Sequence, residues 1–402
     1  MNSAELQSDI QALTDTVKRF ALTEVAPHVQ DWEDAGEIPR PLYQRAAELG
    51  LLGLGYPEHL GGTPASHALR NALSIALARY GGAGGLNASL YSLNIGLPPI
   101  LRHGGAALQE EIIPPVLRGE KISALAITEP GGGSDVAAVR TTAVRDGADY
   151  IVNGEKTFIT SGMRADWITM AVRTGEPGTR GEAPSALKGE AVPALKGARG
   201  ISMLVIPGDT PGLSRTALRK MGWWCSDTAQ LRMDNMRVPA RYLLGQEGAG
   251  FKIIMSNFNG ERLGMSAIAL GFAQACYDEA LDWARQRKTF GQALVQHQVI
   301  RHKLVDMRMR IESTQAWVDA ATARLDNGDS SPEWVAQVCM LKNHATQSMQ
   351  FCADQAVQIL GGMGFMRGTK SERIYREVKV MMIGGGAEEI MKELAARQLG
   401  LQ

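Results

Sequence analysis

Residues 141–160 read TTAVRDGADYIVNGEKTFIT, and here the spacing of apolar residues changes period. Thr141–Arg145, Ala148–Val152 and Glu155–Thr160 are short runs rich in β-branched and aromatic residues, separated by Asp146-Gly147 and Asn153-Gly154. Asp-Gly and Asn-Gly supply the positive φ of two-residue hairpins, so the stretch predicts three strands joined by two tight turns. Trp167–Arg173 and Ile201–Ile206 continue the β pattern, and Asn235–Pro239 closes it. Between them, residues 174–200 are rich in Gly, Pro, Ala and Lys and hold a small repeat, APSALKG at 183–189 and AVPALKG at 191–197. This segment is expected to be an exposed loop insertion without chemistry of its own.

On either side the period is helical. Leu6, Ile10, Leu13, Val17 and Phe20 recur every three or four residues and form one apolar stripe. A helix over Leu42–Leu49 follows Pro39 and Pro41 and stops at Gly50, and another runs from about Ala65 to Tyr80. After the β region, 249–287, 295–326, 332–361 and 385–398 predict long apolar-faced helices joined by short connections, an antiparallel four-helix bundle. The expected fold class is α+β. It comprises an N-terminal α-helical domain (1–122), a middle antiparallel β domain (123–240) and a C-terminal four-helix bundle (241–402).

Composition removes several classes of function. The chain has 402 residues with 42 Lys+Arg and 42 Asp+Glu. A net charge of zero offers no electrostatic case for nucleic acid or an anionic membrane. No run of about 18 apolar residues exists to span a bilayer. Cys225, Cys276, Cys339 and Cys352 form no C-x-x-C, and H-E-x-x-H is absent, so no metal site is expected. The N-terminal MNSAELQSDI has no apolar h-region and is not Arg-rich, which points to the cytoplasm.

Three motifs carry ligand chemistry. Ile127-Thr-Glu-Pro-Gly-Gly-Gly-Ser-Asp135 holds three consecutive glycines, which either form a flexible turn capped by Ser134 or let backbone N–H groups approach a flat or anionic ligand. Arg285–Gly291 ends a helix with cations that suit its dipole. Gln358–Phe365 ends another in Gly-Gly. The nearest approach to G-x-G-x-x-G, Gly362–Arg367, lacks the last glycine and sits in a helical context, so a Rossmann reading fails.

In this order, together with 47–54, 57–62, 153–162, 221–228 and 248–251, these motifs closely resemble the acyl-CoA dehydrogenase family along nearly the whole chain. The resemblance implies an α–β–α architecture and FAD. It places Leu125, Ile127, Thr128, Gly133, Ser134, Phe158, Ile159 and Thr160 around the flavin. It also assigns FAD contacts to Arg287, Thr289, Phe290, Gln298, Gln358 and Gly362, with Arg287 and Thr289 reaching from a neighbouring subunit. Ser134, Asn259 and Arg262 fall where the family touches substrate, and Leu90, Leu93, Ile95, Gly96 and Leu97 where it lines the acyl pocket. The expected partners are an acyl-CoA, an electron-transfer flavoprotein and further copies of the chain in a homotetramer.

One departure is informative. The register from Tyr375–Lys379 puts the glutamate used by many members at Gly385. Glu388 and Glu389, three and four residues on, suit a helix N-terminus. A second class, which includes isovaleryl- and long-chain acyl-CoA dehydrogenases, carries its base at the position of Glu261. A lone glutamate is ordinarily a surface carboxylate or an ion-pair member, but the register and the missing alternative favour a base here. Gly385 keeps the backbone N–H that the family aims at the thioester oxygen. The expected reaction is therefore α,β-dehydrogenation of a medium, long or branched acyl-CoA, with Glu261 and Gly385 as catalytic residues. The alternatives are an acyl-CoA or nitroalkane oxidase on the same fold, or a non-catalytic acyl-CoA-binding protein.

Overall fold

In the computed structural model, which describes residues 3–175 and 198–401, the chain runs through helices, a sheet and helices again. Most of the predicted 174–200 insertion lies outside the described residues. The leading helices are α1 (Ser3–Phe20), α2 (Val29–Ala35), α3 (Arg40–Glu48), α4 (His67–Gly81), α5 (Gly84–Leu90), α6 (Leu93–His103) and α7 (Ala106–Leu117). The α1 stripe packs as its spacing requires, with Val17 and Phe20 fully buried. Helix α4 opens on Ser66, whose Oγ accepts from Leu69 N–H at 3.3 Å, and ends where Gly82 adopts φ +62°.

The strands are β1 (Ser123–Ala126), β2 (Thr142–Asp146), β3 (Asp149–Thr160), β4 (Trp167–Arg173), β5 (Ile201–Pro207), β6 (Leu213–Ala217), β7 (Thr228–Pro239) and β8 (Leu243–Leu244). They form one sheet in the order β6-β7-β3-β2-β4-β5-β8, with β1 also paired to β4. Most pairs are antiparallel, as expected, but β1 and β2 each meet β4 in parallel. Asp146-Gly147 makes the predicted hairpin, with Asp146 facing Asp149 and Gly147 at φ +61°. Asn153-Gly154 makes no turn. Strand β3 passes through it, the register against β7 shifts between Val152 and Gly154, and a Cβ on Gly154 would stand 2.7 Å from Thr141 Cα. The glycine here serves a β-bulge and a close backbone approach.

The second helical region comprises α8 (Gly250–Gln286), a small hairpin of β9 (Lys288–Thr289) and β10 (Gln292–Ala293), α9 (Gln298–Asp326), α10 (Pro332–Leu360), α11 (Gly362–Phe365), α12 (Lys370–Ile383) and α13 (Glu388–Gln398). The fourth member of the bundle is α12, not the predicted 385–398 segment. The latter forms α13, whose Met391 and Ala395 pack on Ala336 and Cys339 of α10. Helix α12 escaped the periodicity because its buried face includes Ser371, Glu372, Arg373 and Glu377. Glu377 has a structural use, since its carboxylate accepts from Gly84 N–H at 2.7 Å and Trp223 N–H at 3.0 Å and ties α12 to α5 and to the segment before β7.

There are two main apolar cores. One joins the leading helices to the sheet and the other lies within the bundle. Helix α8 enters both, with Ile253 and Ile254 in the first and Leu263, Ala267 and Leu270 in the second. Its N-terminus abuts β5, where a Cβ on Gly250 would stand 2.6 Å from the Ser202 carbonyl carbon. Glu261 occupies the stretch of α8 that passes from one core to the other. The four cysteines are buried and unpaired, and the described residues contain no cluster suited to a metal ion. None of their helices is long and apolar enough to cross a membrane.

Candidate active site

The Thr128–Asp135 loop leaves β1 and is laced to β3 by a buried ion pair. Glu129 Oε1 accepts from Lys156 Nζ at 2.8 Å, Thr141 N–H at 2.9 Å and Thr141 Oγ at 2.6 Å, while Oε2 accepts from Arg140 N–H at 2.7 Å. Lys156, fully buried, also donates to Ile127 O at 3.1 Å. Burial pushes the Lys156 pKa down to about 8 against the pull of Glu129. Burial acts to raise the Glu129 carboxyl, but Lys156 and the bonds from Thr141 together hold it below its usual range. Thr157 N–H closes the lacing by donating to Thr128 O at 2.9 Å.

A second register shift, between Lys156 and Ile159, re-aims the intervening side chains. Phe158 takes φ +60° and stands 69 % exposed, while Lys156 and Ile159 turn inward. Beside it Thr128 and Leu125 are half-buried, Ile127 is buried, and Gly133 and Ser134 lie open, as does Thr160 in part. Nothing stands within 4 Å of a Cβ built on Gly131. Ser161 Oγ is buried and has no hydrogen-bond partner among the described residues. An open aromatic face, a glycine loop free to present N–H groups and an orphaned hydroxyl suit a flat heteroaromatic cofactor such as a flavin.

On α8, Asn257 lies one turn before Glu261, is itself buried, and donates through Nδ2 to Glu261 Oε1. The same amide reaches Ile95 O of α6 at 3.5 Å. Burial pushes the Glu261 carboxyl up to about 8, against the opposing charges of Arg262 and Arg102. Between its ordinary 4.5 and about 8 the folded chain holds a proton that the unfolded chain has lost, so this group's contribution to stability falls as pH rises. Gly260 and Gly264 flank it, with nothing within 4 Å of a Cβ on either.

Gly385 lies in the turn between α12 and α13 at φ +68°. A Cβ there would stand 2.6 Å from Met265 Sδ, one helical turn beyond Glu261. Arg262, expected among the substrate contacts, is buried and turned toward this turn. Its Nε donates to Gly385 O at 3.1 Å and its guanidinium to Asn259 Oδ1 at 2.9 Å. Lys342 of α10 donates to Met382 O at 2.9 Å and Gly386 O at 2.8 Å. The Gly385 N–H has no acceptor among the described residues. Glu388 accepts from Gln347 Nε2 at 3.0 Å in the first turn of α13, and Glu389 is exposed beside it.

The remaining expected cofactor contacts lie elsewhere. Arg287, Thr289, Phe290 and Gln298 stand between the far end of α8 and the start of α9, Gln358 in the last turn of α10 and Gly362 at the start of α11. Twenty-six residues of helix separate Glu261 from Arg287, about 39 Å along the axis. Phe290, 99 % exposed, and the open Arg287, Gln298, Gln358 and Gly362 face away from their own chain. Of the residues expected to line the acyl pocket, Leu90, Leu93 and Leu97 are buried and belong to the first core. Gly96 lets α6 press on β1, since a Cβ there would meet Ser123 Oγ at 2.9 Å. Ile95 alone of this group is half-buried beside Asn257.

Three residues of the candidate site went unread in the sequence, Lys156, Asn257 and Lys342, whereas Met265 was legible from helical spacing as sharing the face of Glu261. Lys342 had a visible signal, since it falls on the apolar stripe Val338, Leu341, Ala345, Met349 of α10. Lys156 had one too, sitting between two shifts of strand register, but that depended on recognising the bulges.

The profiles describing the acyl-CoA dehydrogenase N-terminal, middle and C-terminal domains match residues 7–120, 124–236 and 248–400. The long-chain specific acyl-CoA dehydrogenase of Mus musculus mitochondria is 35% identical over 98% of this chain and 86% of its own. Cyclohexane-1-carbonyl-CoA dehydrogenase of Geobacter metallireducens is 31% identical over 97% of both. A solved structure of a probable acyl-CoA dehydrogenase from Mycobacterium abscessus superposes with TM-score 0.90 at 43% identity, covering 97% of this chain and 98% of that one. Matched in order through all three of its parts, the chain belongs to the acyl-CoA dehydrogenase family, FAD-dependent oxidoreductases that dehydrogenate acyl-CoA.

Proposed function

We propose that Glu261 removes the α-proton of a medium, long or branched acyl-CoA while the Gly385 N–H receives the charge that develops on the thioester oxygen. The observation that carries this reading is the pairing of a half-buried, desolvated carboxylate on α8 with an N–H that has no acceptor among the described residues, in a turn whose own side-chain position is closed by Met265. Asn257 holds the carboxylate in one rotamer. Burial keeps Glu261 a stronger base than an exposed glutamate, and the open space at Gly260 and Gly264 admits the acyl chain beside it. Phe158 and the Thr128–Ser134 loop would hold the FAD, which would supply the acceptor for the β-hydrogen leaving as hydride. The product is the trans-2-enoyl-CoA, with electrons passed on to an electron-transfer flavoprotein in the cytoplasm. Anaerobic reduction of the flavin by a panel of acyl-CoAs tests the reaction and reads the chain length. Rapid reoxidation by oxygen would favour the oxidase alternative.

The pH dependence follows from the base. Protonated Glu261 cannot accept a proton, so the rate of flavin reduction is expected to rise with pH, with a midpoint above the ordinary value of 4.5. Stopped-flow reduction across pH 5–9 checks this, and a flat profile would contradict the assignment.

The same reading makes the enzyme a homotetramer built as a dimer of dimers, with Arg287, Thr289 and Phe290 completing the FAD site of a neighbour. Its support is the separation of about 39 Å along α8, which keeps these exposed groups from their own chain's Glu261. Arg287→Ala is expected to lower FAD occupancy of the assembled protein. A stable monomer in light scattering that retains FAD would refute the arrangement.

A further inference from the structure

We infer that Lys342 is a positioning residue for the dehydrogenation, holding the Gly384–Gly386 turn so that the Gly385 N–H stays available to the thioester oxygen. The inference rests on the reading of Gly385 as that donor. Lysine is almost never fully buried unless paired, yet Lys342 is completely buried in the bundle, and both acceptors recorded for its Nζ are backbone carbonyls. Those carbonyls, Met382 O and Gly386 O, lie on either side of Gly385.

The turn needs such a hold. Gly384, Gly385 and Gly386 run in succession, and Gly385 and Gly386 both sit at positive φ, where glycine has many accessible alternatives. Each neighbouring peptide is fixed. Gly384 N–H donates to Val380 O at 2.7 Å, Arg262 holds Gly385 O, and Lys342 holds Met382 O and Gly386 O. The Gly385 N–H, between these held carbonyls, has no acceptor among the described residues. An oxyanion donor works by being oriented before charge develops, so fixing its flanks lowers the reorganisation required in the transition state. Lys342 adds a second benefit, since a buried ammonium bonded to the carbonyls of Met382 and Gly386 favours negative charge close to this turn. Burial pulls its pKa down to about 8, with Glu388 opposing, so it still carries charge over the neutral range.

The test substitutes Lys342→Met, which keeps the length of the side chain and removes its donors and charge, and Lys342→Gln, which keeps one donor in case the first does not fold. Both are purified with FAD. The primary readout is the C1 carbonyl stretch of bound 2-enoyl-CoA, labelled with carbon-13 and followed by difference infrared spectroscopy. It reports polarisation of the thioester and requires no proton transfer. In the wild-type protein and in Glu261→Gln the stretch should move to lower frequency on binding. In Lys342→Met at least half of that shift should disappear, and flavin reduction should slow roughly 10- to 100-fold with KM for acyl-CoA little changed. Lys342→Gln should fall between. A variant that loses rate but keeps the full carbonyl shift has a merely structural lysine, and one that keeps both has no role for it; either result overturns the inference. If wild-type protein polarises no carbonyl, the assignment of Gly385 falls first and the inference falls with it. If Glu261→Gln reduces flavin normally while the Lys342 variants behave as stated, the base assignment alone is wrong.

Discussion

Glu261→Gln should slow flavin reduction by acyl-CoA at least ~100-fold and leave FAD content and folding unchanged, the lower range for removing a general base. Glutamine fills the same space and still offers Oε1 to Asn257, so the local packing on α8 has no reason to move. What disappears is the basic oxygen. Acyl-CoA should bind as before, because the loss falls on the chemical step and not on ground-state affinity. The rise of rate with pH should vanish in the variant as well. A near-wild-type rate would sink the assignment and turn attention to Glu388 and Glu389. Neither is well placed for the task, since both lie in the first turn of α13, one bonded to Gln347 and the other open to solvent.

Lys156→Met should be the most damaging substitution for stability, costing about 3–5 kcal/mol, because it leaves the Glu129 carboxylate buried without its cation. The Thr128–Asp135 loop hangs from that carboxylate through Arg140, Thr141 and Lys156, so FAD should be held less tightly in the same variant. Adding Glu129→Gln to Lys156→Met should restore much of the stability, since replacing both partners removes the uncompensated charge. Chemical denaturation followed by flavin fluorescence and far-UV circular dichroism measures both effects. A loss below 1 kcal/mol in the single variant would show that the pair is not the anchor described above.

The architecture was legible because period decides it: the long helices α1, α4, α8, α9 and α10 and the Asp146-Gly147 hairpin follow from spacing and turn chemistry alone. Asn153-Gly154 misled because the same dipeptide serves a bulge as well as a turn, and only the β7 register distinguishes them. Helix α12 was hidden by the polar groups on its buried face, Glu377 and Arg373 among them, whose partners come from distant segments. Within the site, Glu261 and Gly385 could be singled out by register against the family. The groups that hold them could not. Asn257 matters only through the bond its amide makes to Glu261, and Lys342 only because the chain folds its carbonyl acceptors onto α10; Met265 could be placed on the face of Glu261 by spacing, but not its contact with Gly385.

Met265, packed against Gly385, bears on any attempt to move the carboxylate. A glutamate at 385 would meet Met265 Sδ 2.6 Å from its Cβ and would have to accept φ +68°. On the proposed reading, carrying the base from α8 to the turn is therefore more than an exchange of one side chain. The flexible Met265 thioether has to swing aside or shrink, and the new carboxylate has to bear a left-handed backbone that glycine takes freely. A glutamate grafted at 385 would start with both of these costs, and relieving them takes changes at two further places, the methionine and the turn.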